Sequence, residues 1–174
     1  PSVLHKIRAG LDAKGAVTGW QHVMVGKSIM IGSPFEAMLV KNGVDATTVE
    51  GASDTAYALP AYRFEVHNAR EGVPVLWWRS VGSTHTALAT EMFVDELLEA
   101  AGKDPVQGRL DLLKPDAARE RAVIEAVRDH QGRSTVGHLV GRILQRSGSG
   151  RAGLGPEARG EGGEAQGKLF LAQD

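Results

Sequence analysis

The hydrophobic period of this chain changes once, near residue 80, and that change limits the folds open to it. Before it, apolar and polar residues alternate, as in "AYRFEVHNAR", where Tyr62, Phe64 and Val66 alternate with charged or polar neighbours. After it, apolar residues recur at the three- and four-residue spacing of a helix. Strands followed by helices predict the α+β class, with antiparallel strands.

The N-terminal segment has the pattern of a β-hairpin over residues 3–25. "VLHKIRAGL" and "AVTGWQHVMV" flank "DAKG", a glycine-closed turn of the kind that joins antiparallel strands. Further strands are predicted near residues 61–70 and 73–78. The connection over residues 27–54 is irregular, with turn signals at "GSP" and "NGVD". Connections of that length are usually functional or cover a neighbouring element.

Two or three helices are predicted from the spacing of apolar residues and from signals at the helix ends; the ranges are residues 83–101, 104–113 and 115–130. Ser83 or Thr84 is the expected cap of the first helix, and Gly102 suits a left-handed exit from it. Asp104 is the expected N-cap of the second helix, with Pro105 at its first position.

The last part of the chain, residues 131–174, is rich in glycine and polar residues. Its stretch "SGSGRAGLGPEARGEGGEAQG" buries too little apolar surface to offset the entropy of ordering its backbone. The sequence therefore predicts a disordered or aberrant tail. Because the chain opens inside a strand-like pattern at Pro1, we also expect it to be cut from something longer.

Composition excludes several classes of function. The 174 residues have a net charge of -1, so no basic field attracts nucleic acid. There is no cysteine, which excludes disulfides, thiolate metal sites and a cysteine nucleophile. No apolar run approaches the ~20 residues of a membrane helix. None of this distinguishes cytoplasm from periplasm, so the compartment stays unknown.

Three short motifs match known sites by their letters and lack the context that the chemistry needs. "GSGRAG" is a literal G-x-G-x-x-G, but no helix can start well in the sequence that follows it. "VGKS" ends like a phosphate loop, but the first glycine of that motif would fall on Gln21. No G-x-S-x-G elbow surrounds the serines of a conceivable triad, which would use Ser80, Ser83, His85 and Asp95.

For the histidines and the acidic residues, we favour explanations that involve no ligand and no catalysis. His22 and His67 lie on predicted strands and are interpreted as surface residues or as residues with satisfied partners. No metal site is expected from this chain alone. The acidic residues of the first helix are interpreted as a solvated face; they are Glu91, Asp95, Glu96 and Glu99.

The stretch "VLWWRSVGSTHT" leaves two interpretations open. In one, it is a strand end whose Trp77 and Trp78 point to opposite faces and bury against neighbours. In the other, it is a loop that binds an anion or a cofactor. Gly82 would let the backbone approach a ligand, the helix start would offer free N–H groups, and Arg79 would supply planar donors.

The segment from Pro74 to Leu113 resembles the molybdenum-cofactor subunit of the xanthine dehydrogenase and aldehyde oxidase family, and most closely the isoquinoline 1-oxidoreductase beta-subunit type. The resemblance covers roughly residues 4–128. On the family motif "FRGFG" stand Trp78, Arg79, Ser80, Val81 and Gly82. On the helix motif "ExxxDELA" stand Glu91, Asp95, Glu96 and Leu97. On "DPxExRxxNL" stand Asp104, Pro105, Val106, Arg109 and Leu110.

The resemblance implies oxidative hydroxylation of N-heterocycles or aldehydes at a molybdenum centre. The cofactor implied is molybdopterin, in its cytosine dinucleotide form, and electrons would leave through an iron–sulfur small subunit or a cytochrome. Residues 1–130 would be part of a cofactor-binding domain. The implied cofactor-binding residues are Trp78, Arg79, Ser80, Gly82 and His85. Val81 would line the substrate pocket, and no catalytic residue or metal ligand is implied in this chain.

The chain also departs from the family pattern. The family's "GGFG" segment and the "GxGE" segment that holds its general base are absent, and Gly108 replaces a larger residue, which is expected to weaken helix packing. One hypothesis is a truncated or frame-shifted fragment, inactive alone. The alternatives are a non-catalytic α+β interaction module and an inactive product.

Overall fold

A computed structural model describes residues 2–131, apart from 71 and 74, together with a strand at 164–171. The strands are β1 (Val3–Leu11), β2 (Val17–Gly26), β3 (Val40–Lys41), β4 (Val44–Asp45), β5 (Tyr62–Asn68) and β6 (Glu164–Leu171). The helices are α1 (Glu36–Leu39), α2 (Ser83–Ala100), α3 (Pro105–Leu112) and α4 (Ala118–Gln131). This order confirms the predicted α+β class.

The predicted hairpin is confirmed. β1 and β2 pair antiparallel, with Ile7 opposite His22. The Oδ1 atom of Asp12 accepts from the N–H groups of Lys14 and Ala16, at 2.8 Å each, and Gly15 adopts φ +72. A short side chain that bonds its own turn and a left-handed glycine together close this connection.

The four-stranded sheet has the order β5-β2-β1-β6. β1 pairs antiparallel with both β2 and β6, but β5 runs parallel to β2, with Trp20 opposite Tyr62. The prediction of antiparallel strands is therefore wrong for β5. Parallel neighbours need a long crossover, and residues 27–61 supply one.

The strand predicted near residues 73–78 is not present: residues 75–78 lie in no strand. Leu76, Trp77 and Trp78 are 86%, 57% and 71% exposed. Pro74 removes a backbone donor from this run, which argues against a paired strand. The interpretation in which Trp77 and Trp78 bury on opposite faces is wrong. Trp77 instead contacts Phe35, with ring centroids 6.0 Å apart.

Strand β6 lies within the stretch predicted to be a tail. It pairs antiparallel with β1, with Val3 opposite Leu171 and Gly10 opposite Glu164. The structure differs from the prediction over these eight residues. The sequence "KLFL" has β-propensity, and β1 would otherwise present an open edge. Residues 132–163, including "GSGRAG", lie outside the described residues, so the predicted disorder there stays a prediction.

The three predicted helices are present with boundaries shifted by a few residues. Asp104 caps α3 as predicted, accepting from the N–H groups of Val106 at 3.0 Å and Gln107 at 2.8 Å. Gly102 leaves α2 with φ +65. The N-cap of α2 is Gly82 without a side-chain hydrogen bond, so the capping roles predicted for Ser83 and Thr84 are wrong. Within the described residues no helix is long and apolar enough to span a membrane.

Helix α2 packs its apolar face on the sheet and on α3. Trp20 and Phe93 meet edge to face, with ring centroids 5.0 Å apart. Gly108 brings α3 against α2, because a Cβ there would overlap Leu98 Cδ2 and lie 3.0 Å from Leu98 Cδ1. The expectation that Gly108 weakens packing is therefore wrong. This glycine permits a close helix–helix approach at the core.

Candidate functional site

The predicted site residues Trp78 to Gly82 form a tight turn that leads into α2; we call it the Arg79 loop. The N–H of Val81 donates to the carbonyl of Trp78 at 3.1 Å, and the hydroxyls of Ser80 and Thr84 lie 2.8 Å apart. Val81 has φ +46, a left-handed conformation that a β-branched residue rarely adopts. Strain of this kind persists only where surrounding structure holds it in place, and it concentrates at ligand-binding sites.

The outer side of the Arg79 loop is open. Trp78, Arg79 and Ser80 are all exposed, and Val81 is half-buried. Within the described part of the chain Arg79 forms no ion pair. Its guanidinium, with five N–H donors, is therefore available to an anionic or oxo group.

The inner side of the loop is fixed by Gly82. This residue is buried, and a Cβ on it would overlap Thr47 O and lie 2.9 Å from the carbonyl carbon of Thr48. The space beside Gly82 is thus filled by protein backbone. The structure shows a packing reason for glycine here, and a cofactor contact at Gly82 stays a prediction.

Gly82→Ala is expected to destabilise the fold. The added methyl group meets backbone that cannot move aside as a flexible side chain would, and overpacking of this kind costs about 1–3 kcal/mol. Urea unfolding followed by circular dichroism measures the change. Gly72→Ala is the matched control, because nothing lies within 4 Å of a Cβ at Gly72. Equal unfolding midpoints for the two variants would contradict the packing argument.

The connection over residues 27–54 is organised around the carboxylate of Asp45, which is buried. It accepts from the hydroxyls of Ser28 at 2.6 Å, Thr47 at 2.7 Å and Thr48 at 2.8 Å. Burial alone would raise the pKa of Asp45, but these hydrogen bonds hold it below its ordinary value. The hydroxyl of Ser28 in "VGKS" therefore donates a hydrogen bond to the Asp45 carboxylate. The same carboxylate orders Thr47 and Thr48, against which Gly82 packs.

Three histidines form a row of hydrogen-bonded rings that ends at His85, in the first turn of the helix that follows the Arg79 loop, and the sequence did not predict this row. His5 Nδ1 lies 2.8 Å from His22 Nε2, and His85 Nδ1 lies 3.2 Å from His5 Nε2. His5 and His22 have no exposed surface. Burial lowers the pKa of His5 to about 3, with His22 and His85 adding to the effect. Burial likewise lowers the pKa of His22 to about 4, and burial also lowers the pKa of His85.

The histidine row was detectable only in part. His5 occupies an inward position in the alternation Val3, His5, Ile7, and this pattern marks a buried histidine. The interpretation of His22 as a residue with a satisfied partner holds for Nε2, which lies 2.8 Å from His5 Nδ1, but it is wrong for Nδ1, which is buried without a partner among the described residues. His67 is exposed, as the surface interpretation expects. His85 comes from another element 80 residues away in sequence, so no local pattern connects it to His5. Within the described residues, no group of three potential ligands has the geometry to hold a metal ion.

The acidic face of α2 holds a buried arginine. The side chain of Arg109, 7% exposed, forms ion pairs with Glu91 at 3.0 Å and Asp95 at 2.7 Å. Tyr57 also donates to Glu91, at 2.9 Å. Although burial disfavours the charge of Arg109, the two carboxylates raise its pKa above the ordinary value. The interpretation of Glu91 and Asp95 as a solvated face is wrong, because both clamp α3 to α2.

We call the ion pairs of Arg109 with Glu91 and Asp95 the clamp. A cleft of about 430 Å³ lies beside it, between α2, α3, α4 and the segment before β5. Its walls include Tyr57, Glu91, Val106, Arg109 and Ile124. Predicted site residues do not line it; among the described residues they lie together at the start of α2. The clamp and the Arg79 loop are thus separate features.

Comparison with known proteins gives a partial relative. No protein-family model matches the chain. The chain is 29% identical to a nicotinate dehydrogenase subunit of Pseudomonas putida over an alignment of 130 residues. This alignment covers 67% of the chain and 11% of the relative. The chain thus spans about a tenth of the length of that protein, and it is similar to part of a dehydrogenase subunit.

Proposed function

We propose that this chain is part of the large, cofactor-binding subunit of a molybdenum hydroxylase in the xanthine dehydrogenase and aldehyde oxidase family. Two observations support the proposal from sequence: the motifs from Trp78 to Leu110 and the likeness to a nicotinate dehydrogenase subunit. The observation that carries it is the Arg79 loop. Its backbone is strained at Val81, it packs through Gly82 against Thr47 and Thr48, and its outer side is open to solvent.

The Arg79 loop suits an anionic cofactor. The guanidinium of Arg79 is exposed, forms no ion pair in the described part of the chain, and offers a planar pair of donors to oxo or phosphate oxygens. Trp78 supplies an exposed aromatic face beside it, and the Ser80 hydroxyl is held by Thr84. When bound, molybdopterin would supply the metal centre that accepts electrons from substrate. This chain would bind and orient it.

The substrate class proposed is an N-heterocycle. The relative's name gives nicotinate, which contains a pyridine ring. Val81 is half-buried next to Arg79 and would form part of the pocket wall, and its small aliphatic side chain leaves more room than an aromatic residue would. The isoquinoline 1-oxidoreductase type and the cytosine dinucleotide form of the cofactor are the finer parts of this proposal.

Partners follow from the same proposal. The relative is named as a subunit, and electrons would pass from the cofactor to an iron–sulfur small subunit or a cytochrome. The general base would come from a segment outside this chain. The chain alone is therefore expected to be inactive.

Arg79→Ala tests the proposal in the assembled enzyme. Charge-assisted hydrogen bonds of arginine are worth about 1.5–3 kcal/mol, so cofactor retention should fall by about ten- to a hundredfold. The readouts are molybdenum by elemental analysis and pterin by fluorescence after denaturation. Arg63→Ala is the control, because Arg63 is exposed on β5. Full cofactor content in Arg79→Ala would overturn the proposal.

A second candidate function is an interaction module, and the exposure of Leu76, Trp77 and Trp78 favours it. These side chains would then form a surface for a protein partner. Trp77→Ala with Trp78→Ala distinguishes the two: if the chain is an interaction module, the double variant loses assembly with partner subunits while Arg79→Ala does not.

A further inference from the structure

The histidine row has two unlike ends. His5 lies in the middle, with its Nδ1 on His22 and its Nε2 on His85. At one end, His22 Nδ1 is buried and has no hydrogen-bond partner among the described residues. At the other end, His85 Nε2 has no such partner either, but it is not shut away from solvent. His85 stands in the first turn of α2, three residues after Gly82.

The number of protons in the row restricts its hydrogen bonds. Burial keeps the rings neutral near pH 7, and a neutral imidazole has one N–H and one lone pair. His5 must therefore donate to one neighbour and accept from the other. Only two arrangements satisfy both contacts: all three rings carry the proton on Nε2, or all three carry it on Nδ1.

The buried end decides between the two arrangements. With protons on Nδ1, the N–H of His22 would be a buried donor without a partner, which is rare in folded proteins and costs about 1–3 kcal/mol. With protons on Nε2, His22 leaves only a lone pair unmatched. In that arrangement His22 donates to His5, His5 donates to His85, and His85 presents its Nε2–H outward.

We propose that His5 and His22 are positioning residues that fix His85 as the Nε2–H tautomer and so make it a hydrogen-bond donor beside the Arg79 loop. The tautomer follows from the row alone; that its acceptor is an oxo, phosphate or carboxylate oxygen rests on the proposed function. A lone pair on the outward nitrogen would suit a proton acceptor. The row removes that option and adds a neutral donor to the cationic Arg79.

Nitrogen NMR of the full chain tests the proposal without any cofactor. With 15N-labelled histidine at pH 7, long-range proton–nitrogen correlations show which ring nitrogen carries the hydrogen. The expected result is Nε2–H for His5, His22 and His85, each as a single tautomer. His67, which is exposed, should show a mixture. Nδ1–H at His85, or a mixture there, overturns the proposal.

His5→Leu tests the positioning role, with His67→Leu as its control. Leucine removes the donor to His85 Nδ1, so His85 should change from one tautomer to a mixture, while the control keeps the single tautomer. An unchanged His85 in folded His5→Leu overturns the role of His5. If His5→Leu does not fold, the tautomer of His85 in the parent chain still tests the proposal: Nε2–H supports it, and Nδ1–H or a mixture overturns it. Failure of Arg79→Ala to lose cofactor would leave these NMR results intact, so the two proposals fail separately.

Discussion

Arg109→Met is expected to lower the free energy of unfolding by about 3 kcal/mol, the lower end of the range for breaking a buried ion pair from one side. Arg109 is almost fully buried, and its removal leaves Glu91 and Asp95 without their counter-charge. The loss stays near the lower end because the side chains of Glu91 and Asp95 are 42% and 25% exposed and can be partly rehydrated. Urea unfolding at pH 7 measures the change.

Two comparisons make the result specific to the clamp. Arg63→Met removes an exposed partner of Glu65 and should cost less than about 1 kcal/mol. Arg109→Met combined with Asp95→Leu should be less destabilised than the sum of the single variants, because the charge left behind has gone. An Arg109→Met chain as stable as the Arg63→Met chain would show that the clamp does not hold α3 to α2.

The clamp changes what the sequence resemblance means. Glu91, Asp95 and Arg109 stand on the two helix motifs, and the structure places the two carboxylates around the buried guanidinium in one ion-pair cluster. These motif residues therefore have a packing role. The Arg79 loop, which carries the third motif, leaves an aromatic side chain and a cation open, those of Trp78 and Arg79. Function should be tested at that loop, and stability at the clamp.

The elements that the sequence predicted well are those with local determinants. The turn between β1 and β2 depends on Asp12 and Gly15 within four residues of each other, and the start of α3 depends on Asp104 and its two successors. Such signals involve bonds from a side chain to its own backbone neighbourhood. They are readable without knowing the rest of the fold.

The features that were missed join distant parts of the chain. β5 meets β2 across residues 27–61, and its direction depends on how that crossover folds. Glu91 and Asp95 look solvated until Arg109, on the next helix, is placed over them. An apolar run predicts burial, yet residues 75–78 have no strand partner in the described part of the chain. In each case tertiary position overrides the local pattern.

Acidification from pH 7 to pH 5 is expected to destabilise the chain by up to about 4 kcal/mol. The pKa of His5 falls from 6.5 to about 3 in the fold, and that of His22 from 6.5 to about 4. Below pH 6.5, His5 and His22 bind protons in the unfolded chain, whereas in the fold they stay neutral. Stability is thus fully present above pH 6.5 and is lost as pH falls toward 4, by about 1.4 kcal/mol per pH unit for each histidine.

Other groups change this slope, which is the dependence of the free energy of unfolding on pH. Burial, with Glu99 and Asp95, raises the pKa of Glu96, so its protonation favours the fold as pH falls and offsets part of the loss. Asp45 acts in the same direction as the histidines, since its pKa is lowered, but only below its ordinary value of 3.8. The histidines therefore dominate between pH 6.5 and 5.

Urea unfolding at half-unit steps from pH 7.5 to 5 measures the slope in the parent chain and two variants. His5→Leu removes one of the two imidazoles with large pKa shifts and should reduce the dependence of the free energy of unfolding on pH by at most about half, because His22 and His85 still contribute. His67→Leu should leave it unchanged, because His67 is exposed on β5. A parent chain whose free energy of unfolding is flat across this range would mean that His5 and His22 take up protons in the fold. Their row would then hold extra N–H groups, and the tautomer of His85 would no longer be fixed by it.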